Sequence, residues 1–123
     1  MIDCTLDAAA AILHMQPRSA LQKEDFAKLA KVVDPHIEKT GGLAGIIVEA
    51  PKFPGWDSFA ALAAHLRFVR DHHRRVRKIA LVTDSALGNV AERLASHFVA
   101  AQIKHFPAGQ LEAARRWILG SRP

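Results

Sequence analysis

One stretch near the middle of the chain, residues 41–58, restricts the fold more than any other part of the sequence. Its apolar run at 43–48 has β-branched residues at the centre, which predicts a strand covered on both faces. Pro51 and Pro54 cannot donate ladder hydrogen bonds, so this strand should end near Ala50. The centre of the chain therefore predicts a buried strand followed by a stiff loop.

Helical periodicity is found on both sides of this strand. Apolar residues three or four apart predict one helix over residues 22–39, in which Pro35 should kink or divide the helix. A second helix is predicted over residues 58–74, with Asp57 or Ser58 as its N-cap. The stripe of this helix that we expect to be buried consists of Phe59, Leu62, Leu66 and Val69.

Further strands and helices alternate along the chain. The sequence predicts a first strand over 8–16, a buried strand over 78–83, a helix over 87–98, an edge strand over 102–106 and a last helix over 111–118. Strands that alternate with helices predict an α/β fold in which helices flank a mainly parallel sheet of four or five strands.

Composition and charge limit the function without choosing it. The length of 123 residues fits one domain, and the lone Cys4 excludes an internal disulfide and indicates a reducing cytoplasm. Residues 1–61 hold six Lys/Arg and eight Asp/Glu, whereas residues 62–123 hold eleven and four. The basic excess in the second half suits an anionic partner of some kind.

Several short motifs follow one another across nearly the whole chain. They are Glu-Asp-Phe at 24–26, Phe-Pro-Gly-Trp at 53–56, His-Leu-Arg-Phe-Val-Arg-Asp-His at 65–72, Lys-Ile-Ala-Leu-Val-Thr-Asp at 78–84, His-Phe-Pro at 105–107 and Ala-Ala-Arg-Arg-Trp-Ile at 113–118. In this order they resemble the SpoIIAA-like family of small bacterial proteins, relatives in fold of STAS domains. The resemblance implies a single SpoIIAA-like domain over 1–123, built as a βα superhelix. It also implies a likeness to lipid-binding CRAL-TRIO domains, with apolar-ligand binding or membrane association.

The pair Asp57-Ser58 permits two interpretations. STAS relatives that antagonise anti-sigma factors carry a phosphorylated serine at the start of a helix, and Asp57-Ser58 is similar to their Asp-Ser pair. A phosphate would be well placed at a helix N-terminus, where free N–H groups point outward. The simpler interpretation is a helix cap, because Asp and Ser are preferred at that position.

Four residues are candidates for ligand binding. Glu49 and Asp84 are predicted at the carboxyl ends of strands, where parallel sheets bind ligands, and two carboxylates there could act as acid and base. Phe53 and Trp56 in the proline loop could form a lid over an apolar pocket, or could cover the core. Histidines without a third ligand at useful spacing do not indicate a metal, and no cofactor is predicted.

Basic residues cluster at the end of the second predicted helix. An anionic membrane is favoured over nucleic acid, because no aromatic residues alternate with the arginines to form a stacking platform. A solvated helix end is the simpler alternative. The candidates for this surface are Arg67, Arg70, Arg74, Arg75, Arg77 and Lys78.

Three hypotheses of function follow. The first is a non-enzymatic cytoplasmic module that binds an apolar or lipid-like ligand and associates transiently with the membrane. The second is a STAS-like regulatory protein that switches protein partners through Ser58. The third is an enzyme that uses Glu49 and Asp84. Oligomeric state stays open, a homodimer included.

Overall fold

Five strands form one sheet whose spatial order follows their order in the chain. The computed structural model describes residues 2–84, 92–93 and 99–120. The strands are β1 Ile2–Asp7, β2 Ile12–Pro17, β3 Leu43–Glu49, β4 Val76–Val82 and β5 Gln102–Phe106. β1 pairs antiparallel with β2, and every other neighbouring pair is parallel. The predicted α/β fold with a mainly parallel sheet is confirmed, with five strands.

Among the described residues, three helices with defined bounds flank this sheet: α1 Lys23–Thr40, α2 Phe59–His72 and α3 Leu111–Leu119. A single 3₁₀ turn, His73–Arg75, joins α2 to β4. The helix predicted over 87–98 lies almost wholly outside the described residues, which include only Glu92 and Arg93 of that stretch, both helical.

The N-terminal region differs from its prediction. The strand expected over 8–16 begins only at Ile12, because residues 8–11 form the turn of a hairpin between β1 and β2. The Asp7 carboxylate accepts a hydrogen bond from the Ala10 amide at 3.1 Å, and Ala11 has a φ of 58°. The four alanines at 8–11, which are poor strand residues, therefore make the turn, and β1 is an additional strand at the edge of the sheet.

α1 continues through its proline. Pro35 lies inside the 18-residue helix and does not divide it. The Asp25 carboxylate accepts a hydrogen bond from the Gln22 amide at 2.8 Å and so closes the first turn. At the other end Gly41 has a φ of 97°, and its N–H donates to the Ile37 carbonyl at 2.7 Å, which ends the helix.

Both faces of the sheet are covered, as the apolar run in β3 predicted. Neighbouring residues of β3 alternate between the faces: Ile46 packs in the cluster on the α1 side, and Ile47 packs in the cluster on the α3 side. Ile12, Ala80, Val82, Phe106, Ala114 and Ile118 complete the α3-side cluster. Ala64 and Phe68 of α2 pack against the α1-side cluster.

At two glycines another part of the chain lies so close to the backbone that a side chain would not fit. A Cβ on Gly45 would lie 2.5 Å from Cγ2 of Ile118, so the absence of a side chain lets α3 rest directly on β3. A Cβ on Gly42 would lie 2.6 Å from the Arg75 carbonyl oxygen, where the chain enters β4.

The predicted buried stripe of α2 is wrong at two of its four residues. Phe59 is 84% exposed and Leu66 is 62% exposed, whereas Leu62 and Val69 are half-buried. The side that packs inward carries Ala61, which is fully buried, together with Ala64 and Phe68. Small alanines let α2 approach α1 closely, and the larger apolar residues are left on the surface.

Candidate functional site

Backbone hydrogen bonds hold the proline loop against the segment before α1. The Leu21 amide donates to the Gly55 carbonyl at 2.7 Å, and the Asp57 amide donates to the Leu21 carbonyl at 2.9 Å. Phe53 is half-buried and packs against the α1-side core. Of the two predicted roles for this loop, these contacts favour a cover of the core over a lid.

Trp56 connects this loop to α2. Its ring meets Phe53 edge-on at a centroid distance of 5.1 Å and remains 37% exposed. The indole N–H donates to Nδ1 of His65 at 3.1 Å. His65 in turn stacks on Phe26 of α1 at 4.9 Å. The ring series therefore links the loop, α2 and α1.

The His65 ring is neutral in this arrangement. Its Nδ1 accepts the Trp56 hydrogen bond and so carries no proton. Burial lowers the pKa of His65 below its ordinary value, because a charged imidazolium would lose its hydration. The same surroundings that anchor Trp56 therefore also keep His65 uncharged.

His72 lies at the far end of the same helix interface. It stacks on Phe68 at 4.1 Å, and its two ring nitrogens face the Phe68 carbonyl and the Asp34 carboxylate, each at 2.7 Å. No group of three His, Cys, Asp or Glu that could hold a metal ion is found within the described part of the chain. His65 and His72 instead contribute to the contact between α1 and α2.

The two candidate carboxylates have separate partners. Oε1 of Glu49 lies 2.7 Å from Nε2 of His14 and accepts a hydrogen bond from the side-chain amide of Gln16 at 3.2 Å, so the Glu49 side chain faces β2. Asp84 lies past β4 and accepts from the Ala108 amide at 2.9 Å, in the loop before α3. No hydrogen bond joins Glu49 to Asp84. The contact of His14 with Glu49 was not predicted, because only the pairing of β2 with β3 brings these residues together.

Ser58 is the N-cap of α2 and is exposed. Its Oγ accepts a hydrogen bond from the Ala61 amide at 3.1 Å. The interpretation of Ser58 as a cap therefore agrees with its geometry, and the residue as a whole is exposed to solvent.

The exposed side of α2 combines apolar and basic residues, and we call it the α2 outer face. It consists of Phe59, Leu66, Arg67 and Arg70, all of which are exposed. Nε of Arg70 donates to the Asp71 carboxylate at 2.9 Å. This hydrogen bond lowers the pKa of Asp71 and raises the pKa of Arg70.

The other predicted basic residues lie beyond the end of α2 and separate into two groups. Arg74, Arg75 and Arg77 line an open groove of about 350 Å³ between the starts of β3 and β4, which we call the arginine groove. Lys78 points away from it, since its Nζ donates to the Trp117 carbonyl of α3 at 2.7 Å on the opposite side of the sheet. The six clustered basic residues therefore do not form one surface.

The proline loop and the arginine groove lie at opposite ends of β3. The loop follows the carboxyl end of β3, and the groove lies at the amino end of the same seven-residue strand. A strand of this length spans about 20 Å. The two features cannot contact one small ligand together, and α2 is the element that runs between them.

The α/β fold supports a regulatory or binding module in general. A family model described as SpoIIAA-like matches residues 12–119, and the chain belongs to that family, which is generally non-enzymatic. A similar solved structure is that of an uncharacterized protein of the DUF3478 family with a SpoIIAA-like fold, from Shewanella loihica PV-4. It is 17% identical with a TM-score of 0.75, over 96% of this chain and 92% of that chain. A comparison with curated proteins found no match. Within the described residues, no helix has the length and apolarity needed to cross a membrane.

Proposed function

We propose that the protein is a non-enzymatic binding module that associates transiently with anionic membranes through the α2 outer face. The observation that carries this proposal is the exposure of Phe59 and Leu66 on the same side of α2 as Arg67 and Arg70. Apolar residues flanked by cations are typical of helices that lie in the interface of an anionic bilayer. In this proposal the apolar partner is the lipid surface and not a ligand in a pocket. Phe53 and Trp56, the candidates for a lid over such a pocket, contact the protein itself.

Both kinds of residue should contribute to affinity. Transfer of a Phe or Leu side chain out of water is worth about 1.5–3 kcal/mol when burial is complete. Each Arg near an anionic surface adds about 1 kcal/mol. Arg70 should contribute less than Arg67, because Asp71 already neutralises part of its charge. The resulting affinity is modest, as expected for reversible association.

Sedimentation with lipid vesicles tests the proposal. The wild-type protein should bind vesicles that contain phosphatidylglycerol, and binding should weaken as salt rises, because attraction between surface charges is screened. Phe59→Ser with Leu66→Ser should reduce binding at least tenfold. Leu119→Ser is the matched control, because Leu119 is 53% exposed on α3 and lies outside the proposed surface.

Two results would contradict the proposal. One is an absence of binding to anionic vesicles at low salt. The other is an equal loss of binding in the Leu119→Ser control and in the double variant, which would show that the α2 outer face has no special role.

A second function is favoured by the accessibility of Ser58. We propose as the alternative a STAS-like regulatory protein in which phosphorylation of this exposed N-cap changes the protein partner. A phosphate at this position would meet the positive end of α2 and would stand beside Phe59. Mass spectrometry of protein from its host should then show a phosphate on Ser58 that disappears when a kinase is deleted. Unmodified Ser58 under all growth conditions would reject this alternative.

The enzyme hypothesis has the least support. Glu49 and Asp84 bond to different elements and do not face each other across a shared hydrogen-bond network. Turnover that is lost on Glu49→Gln would be required to revive it.

A further inference from the structure

We infer that the arginine groove binds a phosphate monoester group. The groove lies where the end of α1, the start of β3 and the start of β4 meet, and its volume of about 350 Å³ suits a small ligand group. Arg74, Arg75 and Arg77 supply three guanidinium groups from one short stretch of chain. This inference is independent of the membrane proposal, because a soluble phosphate ester could occupy the groove without a bilayer.

Among the described residues, the arginines of the groove differ from the arginines that form ion pairs. Arg18, Arg70 and Arg115 each pair with an aspartate. In contrast, across residues 2–84, 92–93 and 99–120, no carboxylate lies within ion-pair distance of Arg74, Arg75 or Arg77. Three cationic residues that line one groove, with no ion-pairing carboxylate among the described residues, would be stabilised by a bound anion.

The walls of the groove are held in place by short-range contacts. Arg75 donates to the Gly41 carbonyl at 3.4 Å. The Thr40 hydroxyl contacts the His36 carbonyl at 2.8 Å and the Gly42 carbonyl at 3.1 Å. The Gly41 carbonyl at the C-cap of α1 is thus engaged by a guanidinium group, which reduces the negative potential that this carbonyl would place beside an anion.

A phosphate monoester fits this site better than a carboxylate or a phosphate diester. Guanidinium groups offer paired N–H donors in a planar fork that matches phosphate oxygens. A monoester carries up to two negative charges at neutral pH and therefore compensates more of the three positive charges than a singly charged ligand does. Arg75 already donates to the Gly41 carbonyl, so Arg74 and Arg77 are the residues that close on the phosphate in this proposal.

The test uses glycerol 3-phosphate as the soluble probe and phosphatidic acid vesicles as the lipid probe, both of which present a phosphate monoester. With the soluble probe, amide signals in nuclear magnetic resonance spectra should shift saturably at residues 40–44 and 74–77, with a Kd of about 1 mM or lower. Arg74→Gln with Arg77→Gln should weaken binding at least tenfold. The control Arg18→Gln with Arg116→Gln also removes two positive charges, from exposed positions outside the groove, and should weaken binding of the probe less than twofold.

The two probes distinguish the sources of the phosphate. Binding of glycerol 3-phosphate supports a soluble ester as ligand. Binding restricted to phosphatidic acid vesicles, with the same loss in the groove variant, supports a lipid headgroup. The inference is overturned if neither probe binds, if both pairs of variants lose equally, or if glycerol 3-phosphate fails to bind and phosphatidylglycerol vesicles of equal charge bind as well as phosphatidic acid. In that last case a loss on Phe59→Ser with Leu66→Ser would still uphold the membrane proposal.

Discussion

Gly45→Ala is the substitution whose consequence the structure defines most closely. The new Cβ would lie 2.5, 2.7 and 2.9 Å from three side-chain carbons of Ile118. Non-bonded carbons prefer a separation of about 3.5–4.0 Å, so each contact is too short by about 1 Å. Ile118 is buried and β-branched, which leaves its side chain little room to move.

Two opposing effects set the magnitude. Overpacking of a core destabilises by about 1–3 kcal/mol, whereas Ala in place of Gly inside a strand stabilises by about 0.5–1 kcal/mol. Because the three contacts are only 2.5, 2.7 and 2.9 Å, the upper part of the overpacking range applies, and the free energy of unfolding of Gly45→Ala should fall by about 1–2 kcal/mol. For a domain of this size the melting temperature should fall by about 5 °C.

A double-mutant cycle isolates the contact. Ile118→Ala alone should cost about 2–5 kcal/mol through the cavity that it leaves. In that background Gly45→Ala should be neutral or stabilising, because the clashing atoms are gone. Urea melts of the four proteins, fitted with a common m value, should give a coupling energy of about 1.5–3 kcal/mol.

Gly41→Ala provides the control for this cycle. Gly41 has a φ of 97°, and nothing lies within 4 Å of an added Cβ, so its cost comes from backbone strain and should be the same with or without Ile118. If Gly45→Ala were equally destabilising in both backgrounds, Ile118 would not be the contacting residue and the described position of α3 on β3 would be refuted.

Three further predictions concern pH, capping and the core. Because burial lowers the pKa of His65, the unfolded chain takes up a proton that the folded chain does not, so the free energy of unfolding should fall as the pH drops below about 6.5. Urea melts should show a smaller decline for His65→Gln, and equal declines would contradict this reasoning. Ser58→Ala should cost about 1 kcal/mol through loss of the cap, whereas Ser58→Asp should retain wild-type stability; equal melting temperatures for all three proteins would show that the cap is unimportant. Ile47→Ala should cost about 2–5 kcal/mol and Leu81→Ala less, because Leu81 is only half-buried; the opposite ranking in urea melts would refute these burial assignments.

The sequence predicted the elements whose signals are local. The run at 43–48, closed by Pro51, became β3, and the apolar spacing around Ala114 became α3. β1 was missed although its residues alternate strictly, with Ile2, Cys4 and Leu6 toward the core. That alternation is the signal of a half-buried strand, and it could have revealed β1.

Periodicity alone could not orient α2. Two apolar stripes occur along this helix, and only contact with α1 selects between them. The stripe that contains Ala61 and Phe68 packs inward, because Phe68 joins the rings around Phe26. The large side chains of Phe59 and Leu66, which favoured the other stripe, are therefore on the surface.

The candidate site shows the same division between local and long-range information. Ser58 was placed correctly at a helix start, since capping depends on neighbouring residues. The partners of Glu49 lie on another strand, and no spacing in the sequence identifies them. Arg77 and Lys78 are consecutive in β4, so their side chains point to opposite faces, and the linear basic cluster is split in space.

The late position of α3 in the chain has a consequence for synthesis. The apolar face that α3 covers is built from β2, β3, β4 and β5, all of which leave the ribosome before residue 111. At about 5–20 residues per second, the nascent sheet would expose Ile12, Ile47 and Val82 for a short period before its cover is complete. A chain stalled or truncated before Leu111 would keep that face open, and should be a substrate for chaperones or should aggregate.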